Sequence, residues 1–365
     1  MSNQPSSNEM SNSFHDFIHD SIKDELKKID DILDDIAKKR NSTVFALLYS
    51  SLTSIRSEHL HKVYKKFTSM VENSDKEDID VVLQTMGGHA DAAFQLGYTI
   101  QKCIEDLETK RDKKIRLNVI VPRSAKSAGT LLALCSNCII LTKLSELGPI
   151  DPQIRIESRF VSTKTIRDSL RQVLEIVSEL EVSANTKEVK KNVERIEAVK
   201  HILSRIPVAE MGHYESLLNH VAHLAQELLR NRMMKEKSTE EIRKVAEQLV
   251  RGYEYHEFPI TYWHLGTMGI SCNVVDCELE KLLLELYDII VKLDTKFLYM
   301  YILLKFGQAF LEAPEEMISM FFQEVVELRN GIIVLPIPSS YIEEFVEEIS
   351  PKIRENIESL TSSSI

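Results

Sequence analysis

No stretch of this 365-residue chain reaches the run of about 18 apolar residues that a membrane-crossing helix needs. The best candidate, residues 129–144, is broken by Ser136, Asn137 and Lys143. The first 20 residues also lack the apolar centre of a secretory leader, so a soluble, cytoplasmic protein is expected. Five cysteines, an odd number, suit a reducing compartment better than a disulfide framework. Basic residues are in deficit: 45 Lys and Arg against 56 Asp and Glu leave a net charge of −11, which argues against bulk binding to nucleic acid or anionic membranes. Phosphate-binding loops, metal-ligand clusters and sustained heptads are missing as well, so no cofactor and no metal is expected. Cys135 and Cys138 have C-x-x-C spacing but no second pair to close a zinc site, and read as small buried residues. Cys272 and Cys277 show no ligand pattern either.

The chain does hold two successive units of one kind between Ile79 and Gln153. In the first, the apolar run 79–83 stops at Gly87-Gly88, and a helical spacing follows through Ala93, Leu96, Gly97, Ile100 and Ile104. In the second, residues 117–121 form the run, Pro122 ends it, and Ser127-Ala128-Gly129 opens an apolar helix. Two small-residue turns therefore fall at the carboxyl ends of neighbouring strands, where open α/β sheets bind ligands. Glycines let a substrate approach backbone N–H groups closely. A serine at a helix start sits among unpaired amides that favour negative charge. Read locally, Ser127 is either an N-cap or an exposed nucleophile.

The order and spacing of QTMGG (84–88), SAGTLLAL (127–134) and LGPIDPQ (147–153) resemble the Clp protease/crotonase superfamily. Within it they are most similar to the serine dehydrogenase proteinase group, relatives of signal peptide peptidase A. The likeness is sharp over 79–153 and extends over about 44–276. It implies an α/β fold, a Clp protease/crotonase-like spiral of strand–helix units with helical extensions. It further implies an ATP-independent serine peptidase working through an acyl-enzyme on peptide or protein substrates. Ser127 would be the nucleophile, with the Gly88 and Ala128 amides, and Gly87 beside them, as the oxyanion hole. A homo-oligomer is implied, and a protein regulator is compatible with it.

The general base is the open question. Clp proteases resemble a design with a histidine soon after the serine, but no histidine occurs between Ser127 and His201. The stomatin-associated peptidases resemble a Ser-Lys design, and the matching place here is Lys164, at the start of a helix. Lys143 and Lys126 come next. A lysine base must be neutral, which burial among apolar groups would favour. His256, in the loop after a helix, is the second choice. Asp151, between two prolines, either orients the base or caps a turn. His89 is either a base or a surface histidine.

Around this centre, residues 1–14 read as a disordered tail and 14–39 as an amphipathic helix whose stripe needs a partner in the body or in another subunit. Residues 41–277 form the peptidase-like domain, with a helical insertion at 165–206 folding as a hairpin. Ser238 and Glu241 spell a capping box for a helix from Thr239. Residues 278–365 read as mostly helical: a long helix to Leu304, another from Pro314 to about Gly331, an extended segment 332–338 and an acidic helix 341–360. Two rival functions fit the same turns. One is a catalytically silent scaffold or regulator on this fold. The other is an acyl-thioester enzyme holding an enolate between the same amides, against which stands the lack of a basic cluster for coenzyme A.

Overall fold

A computed structural model describes residues 7–156, 159–182, 201, 208–307 and 321–338. The chain opens with α1 (Ser7–Arg40) and then alternates: β1 (Thr43–Tyr49), α2 (Leu60–Glu72), β2 (Asp78–Gln84), α3 (Ala90–Arg111), β3 (Arg116–Val121), the short β4 (Ser124–Ala125), α4 (Ala128–Ala133) and β5 (Cys138–Leu141). Next come β6 (Glu146–Leu147), the pair β7 (Gln153–Ile156) and β8 (Arg159–Ser162), and α5 (Thr163–Val182). The remainder is α6 (Val208–Asn231), α7 (Thr239–Arg251), α8 (Tyr262–Thr267), β9 (Cys272–Val274), α9 (Cys277–Gly307), β10 (Phe321–Leu328) and β11 (Gly331–Pro338).

Seven strands make one sheet in the order β10-β11-β1-β2-β3-β5-β9. Every neighbour is parallel except the β10–β11 hairpin. The strands are short apolar runs because both faces are covered. Their side chains alternate between two cores. Phe45, Leu47, Val81, Leu83, Val119 and Leu141 face the larger core under α2, α3, α4, α6 and α7. Val44, Ala46, Leu48, Val82, Ile120 and Ile140 face the smaller one, closed by α1 and α9. The α1 stripe, with Ile22, Ile29, Leu33 and Ile36 fully buried, thus finds its partner within the chain. It gives no separate reason to expect a second subunit. At the end of α1, Arg40 forks onto the buried Asp80 carboxylate at 2.5 and 3.1 Å, and Ser42 and Asn118 supply further hydrogen bonds to it.

Several expectations change. α1 begins at Ser7, so residues 7–14 extend the helix rather than forming a tail, while residues 1–6 lie outside the described ones. The first arm of the expected hairpin is α5; 183–200 and 202–207 lie outside the described residues, as does the acidic stretch 341–360. The start expected at Pro314 lies outside them too, but 321–328 is a strand, not the end of a helix. Phe321, Phe322, Val325 and Val326 are strand formers, and a full antiparallel ladder to β11 outweighs the local helical pattern. Leu328 pairs with Gly331 across a two-residue turn. Gly331 has φ +146°, and a Cβ there would lie 2.2 Å from the Ala46 carbonyl oxygen, so only glycine lets β11 approach β1. β10 and β11 are therefore part of the central sheet.

The capping box of α7 forms as expected. The Ser238 hydroxyl accepts from the Glu241 N–H at 3.2 Å, and the Glu241 carboxylate accepts from the Ser238 N–H at 2.9 Å. The Ser238 N–H, with further hydrogen bonds from the Ser238 hydroxyl and Lys237, holds the Glu241 carboxyl down to about 2. The five cysteines are free. Cys135 packs in the larger core, where burial pushes its thiol up to about 12, while Cys138 packs against the smaller one.

One core group is out of place in its surroundings. His59 is 2 % exposed at the head of α2, and neither ring nitrogen has a hydrogen-bond partner among the described residues. Burial lowers its pKa, Arg56 and Lys62 add to that, and Glu58 opposes it. The folded state thus holds the neutral ring while the unfolded chain takes up a proton at the ordinary imidazole pH. Stability is complete above that pH and declines as pH falls toward the lowered folded value. His59→Phe, which removes the buried unpaired nitrogens, is expected to stabilise the fold by about 1 kcal/mol at pH 7. The gain should be larger at pH 5, as denaturant unfolding at the two pH values would measure.

Candidate active site

The carboxyl ends of β1, β2 and β3 open into a cleft of about 870 Å³ whose walls include Gly87, Gly88, Ser127, Ala128 and His256. Ser127 stands between β4 and α4 with φ +48° and ψ −114°, a conformation that side-chain-bearing residues rarely adopt. The turn is held from both sides. Thr85 N–H donates to the Ser124 carbonyl at 2.9 Å and Lys126 N–H to the Thr85 carbonyl at 3.1 Å. The Thr130 hydroxyl lies 2.8 Å from both the Ala125 and Gly148 carbonyl oxygens and accepts the Gly148 N–H at 2.9 Å. The Ser127 side chain makes no capping bond, so its hydroxyl is not spent on the helix.

Gly87 and Gly88 have φ of +119° and +146°. A Cβ on Gly87 would lie 3.1 Å from Ser127 Cβ and 3.6 Å from the Ala128 nitrogen, so the turn presses directly on the serine. A Cβ on Gly88 would lie 2.4 Å from the backbone of Ile55. Ile55 pins the pair, donating its N–H to the Gly87 carbonyl at 2.8 Å and accepting from His89 N–H at 2.9 Å. The Gly87 amide is occupied, donating to Thr85 Oγ1 at 3.0 Å. The Gly88 and Ala128 amides have no acceptor among the described residues, and both residues line the cleft. Two such donors beside a serine are what an oxyanion requires.

The histidine arrives from far along the chain. Leu147 and Ile260 exchange backbone hydrogen bonds at 2.8 and 3.0 Å, and Ile150 N–H donates to Leu249 at the end of α7 at 3.0 Å. The loop between α7 and α8 is thereby laid against the segment carrying Asp151. Tyr253 stacks on Phe258 at 4.7 Å, and Phe258 meets His264 edge-on at 5.3 Å, bracing that loop from within. The result is a hydrogen bond of 2.8 Å between His256 Nδ1 and Asp151 Oδ1, with the carboxylate side chain 4 % exposed. Nδ1 is thus engaged, and Nε2 has no partner among the described residues. It makes no direct hydrogen bond to Ser127 either; such bonds commonly tighten only when substrate is bound.

Lys164 lies elsewhere. Its ammonium pairs with Asp168 one helical turn along α5 at 2.8 Å, and Lys164 is absent from the cleft lining. Burial opposes ionisation of Asp168, but hydrogen bonds from Lys164 and Arg167 hold its carboxyl below the usual range. Lys126 pairs with Glu146 at 3.1 Å, and Lys143 reaches Glu280 at 3.5 Å. His89 lines the cleft, but it is exposed, and among the described residues no carboxylate bonds it.

Other cleft residues carry no motif of their own in the sequence. The loop after β1 supplies Ser51, Leu52, Thr53, Ser54, Arg56 and Ser57, and β10 supplies Gln323. The polar run after an apolar strand was a usable signal for the first group; nothing local marks Gln323. Met86 and Phe160 add large exposed apolar surfaces to the walls, beside the buried Leu131 and Ile150. Among the described residues no group of three or more His, Cys, Asp or Glu is gathered to hold a metal ion. Nor is any described helix long and apolar enough to cross a membrane.

Comparison with known proteins gives the following. The sequence profile of ClpP-like SDH-type serine proteinases matches residues 17–308. Two uncharacterized proteins of Methanocaldococcus jannaschii are similar: one is 27% identical over 271 residues, covering 70% of this chain and 77% of its own length. The other is 25% identical over 266 residues, covering 69% and 74%. Among solved structures, a mutant of a membrane-bound stomatin-specific protease aligns with TM-score 0.38 and 16% identity, over 65% of this chain and 81% of its own. A mutant ClpP1 from Listeria monocytogenes aligns with TM-score 0.32 and 13% identity, over 67% and 99%.

Proposed function

The chain belongs to the family of ClpP-like SDH-type serine proteinases, and from that premise we propose that it hydrolyses peptide bonds through an acyl-enzyme built on Ser127. The observation that carries this is the strained, uncapped Ser127 beside two unsatisfied amides, in one cleft with a carboxylate-held histidine.

In this reading Ser127 Oγ attacks the scissile carbonyl carbon while His256 Nε2 takes the hydroxyl proton. Asp151 holds the opposite nitrogen, fixes the tautomer and balances the imidazolium. The carbonyl oxygen becomes an oxyanion between the Gly88 and Ala128 amides. Collapse breaks the C–N bond, and His256 returns the proton to the leaving amine. Water, deprotonated by the same imidazole, then attacks the ester, and Ser127 is regenerated with its proton. The order along the chain is Ser, Asp, His, and it is geometry rather than order that defines such a triad.

The histidine is preferred to Lys164 as base because His256 lines the cleft with Ser127, whereas the Lys164 ammonium is paired with Asp168 and Lys164 does not line it. The substrate would be an extended peptide or protein segment, and assembly into a homo-oligomer is expected from the family. The test is labelling with a fluorophosphonate followed by mass spectrometry of the digested protein. The expected adduct sits on Ser127. A wild-type protein that never labels returns the chain to the reading of a silent scaffold.

A further inference from the structure

The family match ends at residue 308, yet a residue beyond it, Gln323 of β10, forms part of the cleft wall. Its amide faces the loop after β1. Gln323 Oε1 accepts the Ser54 N–H at 3.1 Å, and Nε2 donates to Ser54 Oγ at 3.3 Å. The strand next to it holds the same loop further back: the Val334 carbonyl accepts from Ser50 N–H at 3.1 Å and from Thr53 Oγ1 at 3.1 Å. The residue after Ser54 is Ile55, whose backbone grips Gly87 and His89 and against which Gly88 packs too closely for any side chain.

We infer that Gln323 is a positioning residue for the oxyanion-holding turn. Through Ser54 and Ile55 it fixes where the Gly88 amide points, so the C-terminal hairpin sets the competence of a site it does not itself complete. The inference rests on the reading of Gly88 as an oxyanion donor for its functional part, and on geometry alone for its mechanical part. A donor displaced by even about 1 Å loses much of its effect on the transition state, whereas it alters ground-state binding far less.

The experiment compares wild type with Gln323→Ala, Gln323→Met and Gln323→Glu. Methionine keeps the length and loses both hydrogen bonds; glutamate keeps the acceptor for the Ser54 N–H and accepts from the Ser54 hydroxyl. Hydrogen exchange of peptides covering 50–56 and 86–90 is expected to quicken about tenfold or more in the alanine and methionine variants and to stay near wild type with glutamate. Fluorophosphonate labelling and kcat are expected to fall about tenfold to a hundredfold in the same two variants, with KM within about twofold and recovery in Gln323→Glu. Unchanged exchange at 86–90 in both variants overturns the inference whatever the activity. Quickened exchange in a protein whose wild type never labels retains the mechanical link and rejects the peptidase reading instead. If exchange quickens but labelling and kcat hold at wild-type values, the turn is not the oxyanion donor and the positioning role is overturned.

Discussion

Replacing Ser127 with alanine is expected to abolish fluorophosphonate labelling and to lower peptide hydrolysis by about ten-thousandfold or more. Thermal unfolding should be almost unmoved, because the hydroxyl makes no capping bond and fills only part of an open cleft. That combination separates a nucleophile from a structural cap, since losing a working N-cap costs about 1 kcal/mol of stability. A large drop in melting temperature with partial activity retained would assign Ser127 to the fold and not to the chemistry.

The second large effect is expected at the base. His256→Ala should cost about a thousandfold or more in kcat, and Asp151→Asn should fall about as far, because an asparagine amide favours the wrong imidazole tautomer. The losses should not add: with His256 gone, removing Asp151 has little left to remove. Lys164→Ala and His89→Ala are expected to stay within about threefold of wild type, for the first is paired with Asp168 and the second has no carboxylate partner among the described residues. Activity that survives in His256→Ala and vanishes in Lys164→Ala would instate the Ser-Lys design instead. The enzyme's kcat across pH, compared between wild type and Asp151→Asn, gives an independent reading of the same pair.

The two turns at the strand ends were legible in the sequence because each is a local signal: an apolar run, small residues, then a helical period. The capping box of α7 was legible for the same reason. The partnership of His256 with Asp151 was only half visible, since 105 residues separate them and the loop is delivered by backbone bonds from Leu147 and Ile150 that no periodicity encodes. Lys164 rests on a resemblance in position, and its i,i+4 carboxylate at Asp168, with which it pairs, is legible in the sequence. β10 was mistaken for helix because its partner strand, not its own pattern, decides its conformation. The insertion of β11 beside β1 lacked any local mark except Gly331, whose need is set by a carbonyl almost three hundred residues earlier.

That insertion has a consequence for the living history of the molecule. β1 is synthesised well before β11, and one of its two edges is reserved for β11, so that edge stays open until residue 338 has been made. The tip of the later hairpin then ties back to α1, with Arg329 N–H donating to Asp30 at 2.7 Å and Asn330 to Asp34 at 2.5 Å. Between the making of β1 and that of β11 the nascent chain carries an open row of backbone donors and acceptors in mid-sheet, a state prone to pairing with the wrong strand. The same delay leaves the loop that grips the glycine turn unanchored until β10 and β11 arrive.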